Sequence, residues 1–328
     1  MCGIFGAVSS VNIHQDLIKG LSKLEYRGYD SAGLSLITNS NRIKRIRCMG
    51  KVNALNKLLT SSKLKGNCGI AHTRWATHGI PNLKNSHPHN YGGFSIVHNG
   101  IIENSDEIKN FLSKKSHKFS SDTDSEVIAH LLEYYSNKTN KLSDILLKTF
   151  KKLKGSFALG IMYEDQPDKI IVASNGSPLL IGIGKNANYI SSDIHALASK
   201  TKKYISLEDN EFAIISKNSF ELFNVSGKKV NRKPSVTKQN TNTISKNGFK
   251  HYMQKEIFEQ KDIISRVIKD KLGASKILPN IFGPKSDLML KSIKHVHFVA
   301  CGTSYNASLV AKYWIEEVSD IMLSLIHI

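Results

Sequence analysis

The strongest constraint on the fold is a succession of strand-length apolar runs, at 33–37, 94–98, 157–163, 169–173, 179–183 and 211–215, set off by turn-forming residues. Two stretches between them carry helical spacing instead: Val127, Ile128, Leu131, Leu132 and Tyr135, then Leu142, Ile145, Leu146, Thr149, Phe150 and Leu153. Thr123 followed by Glu126 is a capping-box pair, which predicts that the first of these helices starts near Asp124. Many strands with grouped helices favour sheets packed face to face, with helices outside them, over residues 1–224.

Residues 225–247 are polar, rich in Ser, Asn, Thr and Lys, and read as a linker. Beyond it a helix is expected over 251–269, then an apolar strand at 295–300 that runs into a small-residue turn at 301–305 and a helix from about 306 to 318. Strand, turn and helix in that order is how a doubly wound α/β domain brings an anion to a helix N-terminus. Residues 248–328 are too few for a complete domain of that kind and are expected to be its incomplete first part.

With 46 Lys and Arg against 27 Asp and Glu, the chain carries a formal charge of +19. Such an excess would suit nucleic acid, but the basic residues are spread along the whole chain. No RNP string, zinc-finger spacing or basic heptad helix accompanies them, so no nucleic-acid partner is expected, and attraction of anionic metabolites is the milder consequence. No apolar window reaches the ~18 residues of a membrane helix, and no signal-peptide pattern opens the chain, so the expected location is cytoplasmic, without a membrane partner. Cys2, Cys48, Cys68 and Cys301 form no CxxC pair, which argues against a zinc site or a disulfide framework. Cys48 and Cys68 read as core residues, and Cys2 as a free thiol.

If Met1 is removed, which the small side chain at position 2 permits, Cys2 carries an α-amine and a thiol on one residue. Their reference pKa values are about 7.7–8.0 and about 8.5, so near neutral pH the amine can take the thiol proton through a water, and no His is needed. A small buried apolar residue is the competing reading, since free Cys is among the most buried types. The block from Cys2 to Gly6 puts a small residue directly after the thiol, open to an approaching carbonyl, and then an apolar pair that fixes a strand. Together with the blocks Tyr26 to Gly33, His72 to Gly79, His98 to Asn104 and Ser121 to Glu126, it resembles the glutamine amidotransferases whose mature N-terminal cysteine is the nucleophile. The resemblance implies an α/β class, in detail an α+β four-layer αββα N-terminal-nucleophile glutaminase domain over residues 1–224.

Each block also has a chemical rationale. Attack on an amide builds an oxyanion to which the Asn99 side chain and the Gly100 N–H can donate, and one such donor is worth about 2.7–4 kcal/mol of barrier. Asn-Gly is also the common tight-hairpin dipeptide, and both readings can hold. The two charged ends of glutamine call for a fixed cation and a fixed anion: Arg74 offers a bidentate fork to the α-carboxylate, and Asp124 a carboxylate to the α-ammonium. By resemblance Arg27 lies near the nucleophile, although an Arg at a helix end is often only solvated. The same resemblance assigns Trp75, Thr77, His78 and His87 to the glutamine pocket and its closing loop. His72, His78, His87, His89 and His98 fit no zinc spacing and read as pocket-shaping histidines, so neither metal nor cofactor is expected.

The segments 251–260, 299–305 and 176–182, with Ser192 and Asp193, narrow the resemblance to the family of glutamine:fructose-6-phosphate aminotransferases, or glucosamine-6-phosphate synthases, over nearly the whole chain. That implies a sugar isomerase domain beginning at 248–328. It also implies that Cys2 frees ammonia from L-glutamine to convert D-fructose 6-phosphate into D-glucosamine 6-phosphate for amino-sugar biosynthesis. Thr303 and Ser304 would bond the sugar phosphate, with a helix cap as their other reading, and the full-length protein would be a homodimer. After about Ser319 the chain departs from the family, which continues through a long isomerase part. The expectation is therefore truncation early in that half, with glutaminase activity at most. Another N-terminal-cysteine enzyme, such as a phosphoribosyl-pyrophosphate amidotransferase or an asparagine synthetase, should carry a phosphoribosyl loop or a Ser-Gly-Gly-Leu-Asp loop, and neither is found. An inactive glutamine-binding remnant is opposed by the intact Cys2, Arg74, Asn99, Gly100 and Asp124.

Overall fold

A computed structural model describes residues 2–76, 79–237, 248–269 and 286–327, in two compact units, Met1–Ile244 and Ser245–Ile328. The first unit opens with β1 (Gly3–Ser9), α1 (His14–Ser22), β2 (Ser31–Ile37), β3 (Ile43–Met49), α2 (Val52–Ser62), β4 (Cys68–Arg74), β5 (His89–Tyr91) and β6 (Phe94–Ile102). It continues with α3 (Ser105–Ser113), α4 (Glu126–Ser136), α5 (Leu142–Lys152), β7 (Gly155–Tyr163), β8 (Ile170–Asn175), β9 (Leu180–Ile183), β10 (Ala187–Ser191) and α6 (Ile194–Ala198). It closes with β11 (Lys203–Ser206), β12 (Glu211–Ile215), β13 (Phe220–Asn224), β14 (Lys229–Val230) and β15 (Ser235–Val236).

These strands form two antiparallel sheets, ordered β15-β11-β9-β10-β1-β4-β2-β3 and β14-β13-β12-β8-β7-β6-β5. Three apolar clusters hold them in four layers. Ile4, Val8, Ile70 and Ile190 from the first sheet meet Val97, Ala158, Met162 and Val172 from the second. Phe5, Leu34 and Ala71 pack instead against Leu17 and Leu21 of α1, Leu55 and Leu59 of α2 and Leu197 of α6. On the outer face of the second sheet, Ile96, Leu159 and Phe212 pack against α3, α4 and α5. β1 is buried at every position because its alternate side chains feed two different clusters. Each large apolar side chain so buried contributes about 1.5–3 kcal/mol. Gly20 lets α1 close on β1, since a Cβ there would stand 2.5 Å from the Phe5 ring.

The αββα expectation is met, with local differences. The capping box does not form: α4 starts at Glu126 after Ser125, and the Glu126 carboxylate accepts from Ser120 and Ser121 rather than from Thr123. Asn99-Gly100 is not a hairpin turn but lies inside β6, opposite Ala158 and Phe157 of β7. The described part of the expected linker, 225–237, contributes β14 and β15 to the two sheets, and Arg232 pairs with Glu211 at 2.7 Å. The first unit therefore extends past 224, and residues 238–247 lie outside the described residues.

The second unit contains α7 (Tyr252–Lys269), α8 (Ser286–Lys291), β16 (His295–Ala300), α9 (Gly302–Val318) and β17 (Met322–His327). β16 and β17 are parallel and joined through α9, the β-α-β step of a wound sheet. Among the described residues no helix is long and apolar enough to cross a membrane.

Candidate active site

Cys2 stands at the entrance to β1, and the pairing of Gly3 with Thr73 brings it beside the end of β4. Its Sγ accepts a hydrogen bond from the Trp75 N–H at 3.3 Å and lies 3.5 Å from the Trp75 carbonyl. Burial raises the thiol pKa, while the Trp75 N–H and the charges of the amino terminus, Arg74 and Arg27 act the other way. The net rise leaves the sulfur protonated at neutral pH, so it needs a base before it can attack.

Asn99 arrives from the other sheet, and its orientation follows from a neighbour. His72 is buried, and desolvation lowers its imidazole pKa to about 3, so the ring is neutral. Its Nε2 faces the His98 carbonyl at 3.0 Å and Asn99 Oδ1 at 3.1 Å. A carbonyl can only accept, so Nε2 carries the hydrogen, Oδ1 accepts, and Asn99 Nδ2 turns toward the Cys2 carbonyl at 3.1 Å. Gly100 follows at φ +130°, where a Cβ would meet the Ser156 carbonyl at 2.1 Å, so no other residue fits.

The Cys2 carbonyl has a second donor. Arg27 Nε reaches it at 3.1 Å, while Nη1 pairs with Asp193 at 3.1 Å and the Tyr26 hydroxyl donates to the same carboxylate oxygen at 2.6 Å. Asp193 also caps α6 through the His195 N–H at 2.9 Å. Arg27 is thus part of the frame that holds the nucleophile's backbone, not of the cavity wall.

That wall includes Cys2, Arg74, Trp75, His87, Gly100 and Asp124. Arg74 is 4% exposed and donates to the carbonyls of Gly79 at 3.0 Å and Ile80 at 3.4 Å. Asp124 Oδ2 accepts from the Ile102 N–H at 2.8 Å, which fixes the carboxylate in the loop before α4. Trp75 is 45% exposed and meets Tyr29 edge-on at 5.7 Å. His87 is buried, and burial pushes its pKa well below the usual value. Among the described residues neither of its ring nitrogens has a hydrogen-bond partner, an unmet demand that costs about 1–3 kcal/mol. The rings of His72 and His87 lie 4.2 Å apart, tilted by 32°, and among the described residues no three His, Cys, Asp or Glu side chains converge to hold a metal ion.

Of the residues expected at the site, Cys2, Arg74, Trp75, His87, Asn99, Gly100 and Asp124 are brought together, while Thr77 and His78 lie outside the described residues. Thr303 and Ser304 occupy the first turn of α9 in the second unit, exposed, and the helix has no side-chain cap. Sequence reasoning gave no role to His72 in orienting Asn99, nor to Tyr26 and Asp193 in holding Arg27. The adjacency of Arg27 to a carboxylate 166 positions away leaves no local signal. A larger cleft at the opposite end of β1, by Asn39, Cys68, Asp168 and Lys217, has no comparable convergence of donors on a thiol.

The glutamine amidotransferase domain family matches residues 73–199. The glutamine–fructose-6-phosphate aminotransferase (isomerizing) of Francisella tularensis subsp. tularensis is 45% identical over 325 residues, covering 99% of this chain and 53% of that protein. Those of Buchnera aphidicola subsp. Acyrthosiphon pisum and Haemophilus influenzae are 44% and 41% identical, each over 98% of this chain and 53% of the relative. The chain spans about half the length of these curated relatives. The solved structure of glutamine phosphoribosylpyrophosphate amidotransferase from B. subtilis, complexed with ADP and GMP, superposes with a TM-score of 0.62 at 22% identity over 99% of this chain and 65% of that one, a likeness of fold. Over almost its whole length, on the fold of a glutamine amidotransferase, the chain is thus similar to about half of a glutamine–fructose-6-phosphate aminotransferase.

Proposed function

We propose that the first unit splits L-glutamine with Cys2 as the nucleophile. One observation carries this: a thiol, Gly100, a buried guanidinium and a fixed carboxylate line a single cavity, and Asn99 is bonded to the Cys2 carbonyl beside it. With Met1 removed, the α-amine of Cys2 takes the thiol proton through a water, and the thiolate attacks the amide carbon of glutamine. A C–S bond forms and the carbonyl electron pair moves to oxygen. The Gly100 N–H and the second hydrogen of the Asn99 amide stabilise that charge, the first being held by the Cys2 carbonyl. Collapse breaks the C–N bond as the ammonium proton passes to the departing nitrogen, giving ammonia and a thioester. Water then hydrolyses the thioester to glutamate and restores the thiol. Arg74 holds the substrate carboxylate and Asp124 its ammonium, with Trp75, Thr77, His78 and His87 completing the pocket. Neither metal nor cofactor enters these steps.

For the whole protein we propose that the ammonia passes to D-fructose 6-phosphate, giving D-glucosamine 6-phosphate in the cytoplasm, in a homodimer. The names of the relatives support the acceptor. Thr303 and Ser304 sit at the N-terminus of a 17-residue helix, where exposed N–H groups and the helix dipole suit a sugar phosphate. Incubating the chain with glutamine tests the first step: glutamate is expected from the unaltered chain and none from Cys2→Ala. Glutamate release that survives the substitution, or an intact-mass spectrum showing Met1 retained in active protein, would overturn the mechanism. Glucosamine 6-phosphate formed on adding fructose 6-phosphate would report the second step.

A further inference from the structure

We infer that Asn85 is a positioning residue that fixes the span between the two charged ends of the amino-acid site, and so makes that site select an α-amino acid. The inference rests on the glutamine reading above. Asn85 is fully buried. Its Nδ2 donates to the Ile80 carbonyl at 3.1 Å and to Asp122 Oδ2 at 3.2 Å, and its Oδ1 accepts from the Asp122 N–H at 2.9 Å. The side chain has two hydrogens to give, and both are given.

What these bonds join matters more than their number. The Gly79 and Ile80 carbonyls are the ones that receive the Arg74 guanidinium, so the 79–80 loop aims the cation. Asp122 lies two residues before Asp124, in the loop that carries the anion. One buried amide therefore ties the holder of the cation to the holder of the anion. Among the described residues the segments are also linked by the Lys84–Asp122 ion pair at 3.0 Å, whose side chains are 53% and 52% exposed and which contributes little for that reason. There is no slack at the junction, because a Cβ on Gly79 would stand 2.7 Å from Asn85 Nδ2.

The thiol is held independently, by Trp75, and the Cys2 backbone by Arg27 and Asn99. Loosening Asn85 should then spoil the grip on an amino acid and leave sulfur reactivity alone. Two electrophiles separate these properties in the intact chain. Iodoacetamide alkylates a thiol without being held at charged ends, whereas 6-diazo-5-oxo-L-norleucine, a glutamine-shaped reagent, must be gripped first. For Asn85→Ala and Asn85→Asp we expect inactivation by the diazo reagent to slow about tenfold or more, with the iodoacetamide rate little changed and KM for glutamine rising more than kcat falls. Asn85→Asp keeps the volume and the acceptor facing Asp122 N–H, and decides the matter if the alanine variant does not fold. An unchanged ratio of the two inactivation rates in a folded variant would overturn the inference. Inactivation of the unaltered chain by iodoacetamide but not by the diazo reagent would instead overturn the glutamine reading.

Discussion

In the first unit polar side chains are sunk into the protein: Arg74 is 4% exposed, Glu126 4%, His72 1%, and Asn85 is fully buried. In the second unit α9 buries no residue: Tyr313, Trp314 and Val318 stand exposed along it, and Thr303 and Ser304 are exposed at its start. Burying a polar group is costly unless it is paired, so every sunken side chain of the first unit demands a defined set of partners. For Arg74, His72 and Asn85 those partners are the loops and strand ends near Cys2. The cost of burial and the geometry of the site are thus one property: a group that must be satisfied is a group that cannot wander. On the proposed reading a sugar phosphate at the start of α9 would be met by a helix N-terminus and two hydroxyls, which act through charge and direction.

The most severe test of this contrast is Cys2→Ala, expected to lower glutamate release by about 10⁴-fold or more while leaving the melting temperature nearly unchanged. A stopped assay for glutamate on a folded variant reads it. Next comes Asn99→Ala, for which a loss in kcat of about 10²–10³ is expected with a smaller change in KM, as for a donor that meets only the developing oxyanion. A rise in KM alone would mean that Asn99 binds ground-state substrate instead. Acid should act on the whole frame. His72, at about 3, and His87 and His89, also lowered by burial, stay neutral in the folded first unit. The unfolded chain protonates its histidines near 6.5. Their contribution is therefore complete above about pH 6.5 and is lost as the pH falls from there toward 3. Burial alone would raise the Glu126 carboxyl, but the His130 ring 3.6 Å away and hydrogen bonds from Ser120 and Ser121 hold it well below the usual range, which extends the loss further into acid. Urea midpoints followed at a series of pH values should fall over that window, and a flat profile would mean that the buried histidines take up protons without cost.

The sequence made the layers legible where the apolar signal is local. The runs at 94–98, 157–163 and 211–215 all lie in strands, because alternate residues feed two cores and both faces of the run are mostly apolar. The nine- to eleven-residue helices α1, α2 and α3 escaped notice, since each buries only two to four residues at helical spacing. The ends β14 and β15 were hidden by polar composition, as two-residue edge strands take their partners from the sheet and need little apolar surface of their own. At the site, Cys2, Arg74, Asn99 and Gly100 were readable from chemistry and family likeness. Arg27 was readable as a residue but not as a contact, for its place on the Cys2 carbonyl depends on Asp193 and Tyr26. His72 shows the general difficulty: its type is visible, but its role as a neutral donor exists only once two strands from different sheets place its ring between two oxygens.

The smallest expected effect comes from the second unit and tests whether the contrast is one of function as well as of burial. The residues proposed to split glutamine all belong to the first unit, and the frame around them closes between residue 2 and residue 193. Thr303→Ala combined with Ser304→Ala should then leave glutamate release without sugar unchanged. On the proposed reading it should weaken fructose 6-phosphate binding, measured by calorimetry, by about 1.5–3 kcal/mol for each hydrogen bond lost to a charged group. If the double variant lowered glutamate release in the absence of sugar, the first unit would not be self-sufficient. The energetic link between the sites would then have to be reciprocal, so that glutamine would alter sugar phosphate affinity by the same factor, which the same calorimeter can measure.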